Sequence, residues 1–166
     1  MRRVTWGVWA CAAGVLAVEG PTVGRAQQCV VLLAEKILEV GRVCAEERGD
    51  SLVVTYRTDG GWMLAETHLT LASSRDSFPL AGGRQPILGQ FIRVGAHQPP
   101  VAELAYSFAA GEVQTDSGGR VLIAAHATVV REVEERGAWA TGTLFTATGS
   151  PAAYFVHQRP GRSPPR

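Results

Sequence analysis

Glu66, His68 and His126 are the residues of this sequence whose types and positions most strongly suggest chemistry. Alternate residues of an extended chain lie on opposite faces, so Glu66 and His68 would project from the same side of the segment 62–71. The segment 121–130 has an apolar residue at every odd position, which places His126 on its opposite, less apolar face. If the two segments are neighbouring strands of one sheet, the carboxylate and the two imidazoles share a face.

Three interpretations of these residues are open at the level of sequence. The first is structural, because a buried carboxylate and a buried imidazole each need a hydrogen-bond partner and can satisfy each other. The second is a metal site, since two imidazoles and a carboxylate suit zinc or another divalent transition ion. The third is acid–base or hydrolytic catalysis, although no G-x-S-x-G, H-E-x-x-H or P-loop motif accompanies them. We expect the structural interpretation, and a divalent metal ion is the only cofactor that the sequence suggests.

Trp62, Gln90, Phe91 and Trp139 are candidates for contact with a ligand. The two tryptophans would stack on sugars if their rings were exposed, but core packing is the more common fate of tryptophan beside strand-like sequence. Gln90 and Phe91 follow an irregular stretch that is rich in glycine and proline, and loops commonly carry binding residues. These four residues would form the site of a binding domain.

The composition and the N-terminus indicate an exported domain. The chain has 166 residues, with 16 basic and 15 acidic side chains, which suits one globular domain and gives no electrostatic reason to expect nucleic acid. Arg2 and Arg3, the apolar run 4–18 and the small residues Gly24 and Ala26 follow the order of a secretory signal peptide. No apolar run reaches the roughly 18 residues of a membrane span. We therefore predict secretion, to the periplasm or the extracellular space, with residues 1–26 removed.

Cys29 and Cys44, the cysteines that remain after residue 26, can pair in an oxidising compartment. The segment 32–47 between them has two interpretations. A continuous helix would separate the cysteines by about 22 Å, which is too far for a disulfide. Two strands joined by a turn near Glu35 would place the cysteines opposite each other. The helix and the disulfide therefore exclude each other, and local propensity by itself favours the helix.

From residue 51 onward the sequence is typical of short strands separated by turns. Hairpin turns are predicted at Thr58–Gly61 and Asp116–Gly119, and another turn at Glu134–Gly137. We expect one all-β domain over residues 27–158, an antiparallel β-sandwich of the Ig-like or jelly-roll type, with a barrel as the alternative architecture. Residues 159–166 are rich in proline and arginine and are expected to be disordered.

Several short motifs, spread over residues 30–156, occur in a characteristic order. They are Gly61-Trp62, Glu66-Thr67-His68-Leu69, Ile87-Leu88-Gly89-Gln90-Phe91, Ile123-Ala124-Ala125-His126-Ala127, Glu135-Arg136-Gly137-Ala138-Trp139, Gly142-Thr143-Leu144-Phe145 and Tyr154-Phe155. In this order and spacing they resemble a family of secreted, mostly bacterial and largely uncharacterised β-sandwich domains. The resemblance implies the sandwich fold and export, and it implies no activity.

The resemblance also covers the start of the domain, where the family has two strands. Leu32–Lys36 and Leu38–Gly41 would occupy those places, although Ala34 stands where the family has a turn glycine and Leu88 where it often has proline. We therefore expect a hairpin here, and with it the Cys29–Cys44 disulfide.

These observations predict a secreted, non-catalytic β-sandwich domain that binds an extracellular ligand or surface. One alternative is a secreted metal-dependent hydrolase that uses Glu66, His68 and His126. Another is a purely structural module, in which the same side chains only tie strands together. We expect neither nucleic acid as a partner nor a transmembrane span.

Overall fold

The computed structural model describes residues 27–160, which contain twelve β-strands and three single-turn 3₁₀ helices. In chain order the strands are β1 (Gln28–Ala34), β2 (Leu38–Arg48), β3 (Ser51–Thr58), β4 (Met63–Ala72), β5 (Leu80–Ala81), β6 (Gln85–Pro86), β7 (Arg93–Val101), β8 (Glu103–Ala109), β9 (Arg120–Arg131), β10 (Glu134–Ala140), β11 (Thr143–Leu144) and β12 (Ala153–Gln158). The predicted signal peptide and residues 161–166 of the predicted tail lie outside the described residues. Within the described range, no helix has the length and apolarity to cross a membrane.

Ten of the strands form one curved antiparallel sheet. Eight of them follow the spatial order β7–β4–β9–β10–β1–β2–β3–β8, and the short strand β11 pairs with β12. β12 pairs with residues 120–123 of β9, on the same edge of β9 that pairs with β10 at residues 126–131. A Cβ on Gly95 of β7 would lie 2.8 Å from the Tyr106 hydroxyl of β8. The two end strands therefore approach each other, and the sheet forms a nearly closed, barrel-like sandwich. The predicted all-β antiparallel sandwich is therefore confirmed. The sheet is so curved that the fold also comes close to a barrel, the alternative architecture.

The inward faces of these strands form the main core. Successive residues of a strand point to opposite faces, so one apolar row of each strand is buried. The largest side chains that are completely buried are Tyr56, Phe108, Leu32, Leu52, Leu64, Leu69 and Ile123. Side chains therefore occupy the interior of the barrel, as is usual in small barrels.

β1 and β2 form the hairpin that was expected at the start of the domain. Their register pairs Cys29 with Cys44, and the two sulfur atoms form a disulfide. The turn lies at Glu35–Ile37. The hairpin and the disulfide are thus confirmed, and the helix that local propensity favours does not form because β2 pairs on both sides, with β1 and β3.

Side chains close the seam between β7 and β8. The Thr67 hydroxyl oxygen on β4 lies 2.8 Å from the Tyr106 hydroxyl oxygen and 2.9 Å from His97 Nε2. Farther along the seam, the guanidinium of Arg93 lies over the Phe108 ring, 4.7 Å from its centroid. The nearly closed shape therefore depends on polar and cation–π contacts at this position.

Replacing Tyr106 with phenylalanine is expected to lower the free energy of unfolding by about 1 kcal/mol, because it removes a partly buried hydrogen bond to Thr67. Denaturant unfolding measures this loss. The matched control is Tyr154→Phe, since the described residues offer the Tyr154 hydroxyl no hydrogen-bond partner. Equal losses in the two variants would show that the seam hydrogen bond contributes nothing.

A second apolar cluster covers the outer face of β4 and β9. The segments 73–92 and 141–152 fold back over this face and supply most of the cluster, whose buried members are Ala72, Phe78, Phe91, Ala124, Trp139, Phe145 and Ala152. The Phe78 and Phe145 rings pack edge to face, with centroids 5.1 Å apart. Outward side chains of β4 and β9, including both histidines, are consequently buried.

Two boundaries differ from the sequence prediction. The turn expected at Glu134–Gly137 lies instead at Glu132 and Val133, because Glu132 adopts a positive φ of 55° and the turn needs no glycine. Arg159 was expected in a disordered tail, but its guanidinium makes two hydrogen bonds to the Glu47 carboxylate, at 2.7 and 2.9 Å. The domain therefore extends past residue 158.

Candidate functional site

The two predicted histidines lie directly opposite each other. β4 and β9 are neighbouring antiparallel strands, and their register pairs His68 with His126. Both side chains point away from the barrel interior into the second cluster, where they are 6% and 8% exposed. The structure thus brings together the residues that strand alternation placed on one face.

An irregularity in β4 decides which of its side chains face outwards. Between Leu64 and Glu66 the register with β9 shifts, so Ala65 is an extra residue of the kind found in a β-bulge. Leu64, like Trp62 before it, belongs to the main core, whereas His68 points into the second cluster. The regular alternation expected from residue 62 to 70 is wrong here, because the bulge changes its phase.

The three polar side chains form a chain of contacts. His126 Nδ1 lies 3.4 Å from His68 Nδ1, and His68 Nε2 lies 3.5 Å from Glu66 Oε1. One Nδ1 donates its hydrogen and the other accepts it, which requires at least one neutral ring. The Trp139 ring packs against His126, with centroids 5.0 Å apart. Gly137 faces the same imidazole, since a Cβ at that position would lie 3.3 Å from His126 Nε2.

Burial favours the neutral form of both rings. Burial first, and the neighbouring His68 second, together lower the pKa of His126 to about 4. Burial also lowers the pKa of His68, while the Glu66 carboxylate acts in the opposite direction. At neutral pH the pair is therefore an uncharged, hydrogen-bonded unit inside an aromatic cluster.

The predicted metal ligands do not converge on one point. Glu66 approaches Nε2 of His68, whereas His126 approaches Nδ1 of the same ring. Within residues 27–160, no group of three or more His, Cys, Asp or Glu side chains is placed to hold a metal ion. Neither imidazole hydrogen-bonds a hydroxyl or thiol of the described chain. This arrangement is typical of a structural contact that joins β4 to β9.

Three of the four predicted ligand-contact residues are buried. Trp62 is 2% exposed, and the guanidinium carbon of Arg131 lies 4.5 Å from its ring centroid, so the ring packs in the core and offers no stacking surface. Phe91 packs edge-on against Trp139. Gln90 is exposed beside Phe91. Trp139 is 9% exposed, too little for a stacking platform, but it contributes to a neighbouring cleft.

This cleft is open to solvent on one side and has a volume of about 240 Å³. Its floor includes Leu33 of β1 and Trp139 of β10, which are cross-strand neighbours. The loop 141–151 forms one wall. The lining is mainly apolar and comprises Leu33, Lys36, Trp139, Ala140, Thr141, Gly142, Leu144, Ala147, Gly149, Ser150, Pro151 and Ala153. Such a concave, apolar surface with a few polar groups is the usual form of a small-molecule site.

Two contacts hold the loop over the cleft. Lys36 Nζ donates a hydrogen bond to the Gly149 carbonyl oxygen at 3.1 Å. Gly142 allows the backbone of the loop to lie close to β12, because a Cβ at this position would lie 2.2 Å from the Tyr154 carbonyl oxygen. Trp139 was a candidate from the sequence, whereas Lys36 and the loop were not, because their proximity to Trp139 depends on tertiary folding. The one feature of the sequence that could have drawn attention to Lys36 is that it is the single lysine of the chain.

Comparison with protein-family models, with curated proteins and with solved structures finds no match to this chain. The function is therefore inferred from the chemistry of the cleft and of the residues around it.

Proposed function

We propose that this protein is an exported, non-catalytic binding domain that takes a small, largely apolar ligand in the cleft between β1, β10 and the loop 141–151. The observation that carries the proposal is the cleft itself, whose lining is mainly apolar and which opens to solvent. Its volume of about 240 Å³ lies just below the roughly 300–1,000 Å³ of drug-sized sites, which suits a small ligand or a short alkyl chain.

The histidine pair supports this function indirectly. His126 packs against Trp139, and Trp139 lines the cleft. The uncharged pair therefore places no charge against the Trp139 ring. A metal-dependent hydrolase is less well supported, since Glu66 and His126 contact different nitrogens of His68.

Export is supported by two observations. Residues 1–26 have the order of a signal peptide, and the Cys29–Cys44 disulfide is typical of proteins from oxidising compartments. The ligand would accordingly be met in the periplasm or outside the cell.

Octanol is a suitable first ligand, because burying an alkyl chain gains about 0.8 kcal/mol for each methylene group. Burial of five methylene groups gives a Kd on the order of 1 mM. Isothermal titration of the folded protein with octanol measures this affinity. We expect Ala147→Phe to weaken binding at least tenfold, because the added ring fills the cleft from its loop wall.

The matched control is Ala105→Phe, which adds the same ring at an exposed position of β8 that does not line the cleft. Its affinity for octanol should equal that of the unmodified protein. No detectable octanol binding, or binding that Ala147→Phe leaves unchanged, would overturn the proposed site.

A further inference from the structure

Lys36 lies on a turn with an unusual backbone. Glu35 and Lys36 adopt positive φ angles of 51° and 70° at the tip of the β1–β2 hairpin. Turns with two successive residues of positive φ normally use asparagine or glycine at these positions, because other residues are disfavoured in the left-handed region. Strained conformations of this type cluster at functional sites. The strained turn therefore suggests a function for the Lys36 side chain.

The side chain of Lys36 lines the apolar cleft. Its ammonium has three donors, and one of them is used by the Gly149 carbonyl oxygen. The neighbouring Glu35 carboxylate is bonded to the Arg136 guanidinium, which also lies near Glu134. Within the described part of the chain, no carboxylate lies within ion-pair distance of Lys36. The ammonium is thus a positive charge beside an apolar surface.

We propose that the ligand of the cleft is an amphiphile with a carboxylate head, such as a short or medium-chain fatty acid. Its alkyl chain would lie against Leu33, Trp139 and Pro151, and its carboxylate would accept hydrogen bonds from the Lys36 ammonium. Two features argue for this class: an apolar lining suits the chain, and a single ammonium suits a single negative charge. The inference rests on the function proposed above and adds the identity of the head group.

The test compares octanoate with octanol, which share the eight-carbon chain and differ in charge, by titration at neutral pH. The unmodified protein should bind octanoate roughly fivefold or more tightly than octanol, as expected for one charge-assisted contact. Lys36→Gly should abolish this preference, so that octanoate binds no more tightly than octanol. Both affinities should fall in this variant, because the loop loses its contact with Lys36. Glycine is chosen because it adopts the positive φ of this turn without strain, so the variant is expected to fold.

Two further variants complete the test. Arg42→Gln removes a positive charge that does not line the cleft, and it should keep the preference for octanoate. Lys36→Arg retains the charge and should keep most of the preference. Binding of octanol and octanoate with equal affinity, or a preference that survives Lys36→Gly, would overturn the carboxylate assignment but leave the cleft as a binding site. Failure of both octanol and octanoate to bind the unmodified protein would overturn the proposed function itself.

Discussion

Lowering the pH from 7 to 4 is expected to reduce the free energy of unfolding by about 3 kcal/mol through His126 alone. The pKa of this residue is about 4 in the folded protein, against an ordinary value near 6.5. Between these values the unfolded chain binds a proton that the folded protein does not, so acid favours unfolding. The stabilisation is complete above about pH 6.5 and is lost as the pH falls towards 4. Burial lowers the pKa of His68 and His157 too, which adds to the effect in the same direction.

Chemical denaturation at a series of pH values between 4 and 7 measures this dependence. His126→Gln removes the titrating group and keeps a side chain that can hydrogen-bond His68, so stability should depend on pH clearly less than in the unmodified protein. Phe91→Leu is the control, because it changes packing in the same cluster without removing a titrating group. It should lower stability at every pH and preserve the slope. An unchanged slope in His126→Gln would show that His126 is not the buried neutral group described above.

Removing the Cys29–Cys44 disulfide is expected to lower the free energy of unfolding by about 3 kcal/mol. The bond joins residues 15 apart in sequence, and closing a loop of that length restricts the unfolded chain by about this amount. The variant Cys29→Ser/Cys44→Ala suits the local environment, since Cys29 is exposed and Cys44 is buried. Denaturant unfolding of the oxidised protein and of the variant gives the difference.

A separate measurement distinguishes the cross-link from the side chains. The reduced form of the unmodified protein keeps both sulfur atoms and lacks only the bond, so its stability should fall close to that of the double variant. A loss below about 1 kcal/mol in both forms would mean that the hairpin ladder holds β1 and β2 in place without the disulfide.

The juxtaposition of His68 and His126 was predictable because it depends on strand alternation and on one strand pairing. The apolar odd positions of β9 fixed the face of His126, and the structure pairs it directly with His68. The burial of Trp62 agrees with the more common fate of tryptophan beside strand-like sequence. The change of phase that turns Trp62 inwards was not predictable, because the extra residue Ala65 leaves no mark in the pattern of apolar residues. A bulge depends on the neighbouring strand, so local sequence does not encode it.

The β1–β2 hairpin at the start of the domain was also predictable only in part. The spacing of Cys29 and Cys44 indicated where its turn must lie if they pair, and the disulfide is present. The positive φ angles of Glu35 and Lys36 had no sequence signal, since neither residue is glycine or asparagine. The cleft was likewise hidden, because a loop more than 100 residues away in sequence forms its wall: Lys36 and Gly149 are 113 residues apart.

The central claim is that the cleft beside Trp139 binds a ligand, and an NMR titration of the ¹⁵N-labelled domain with octanoate tests it most directly. The indole N–H of Trp139 and the backbone amides of the loop 141–150 should shift together and saturate with a single Kd. The indole N–H of Trp62 provides an internal control, because that ring lies in the main core and should not move. Saturable shifts confined to residues that line the cleft, including Leu33, Lys36, Trp139 and the loop 141–151, would agree with the account. Shifts elsewhere, or none at millimolar octanoate, would contradict it.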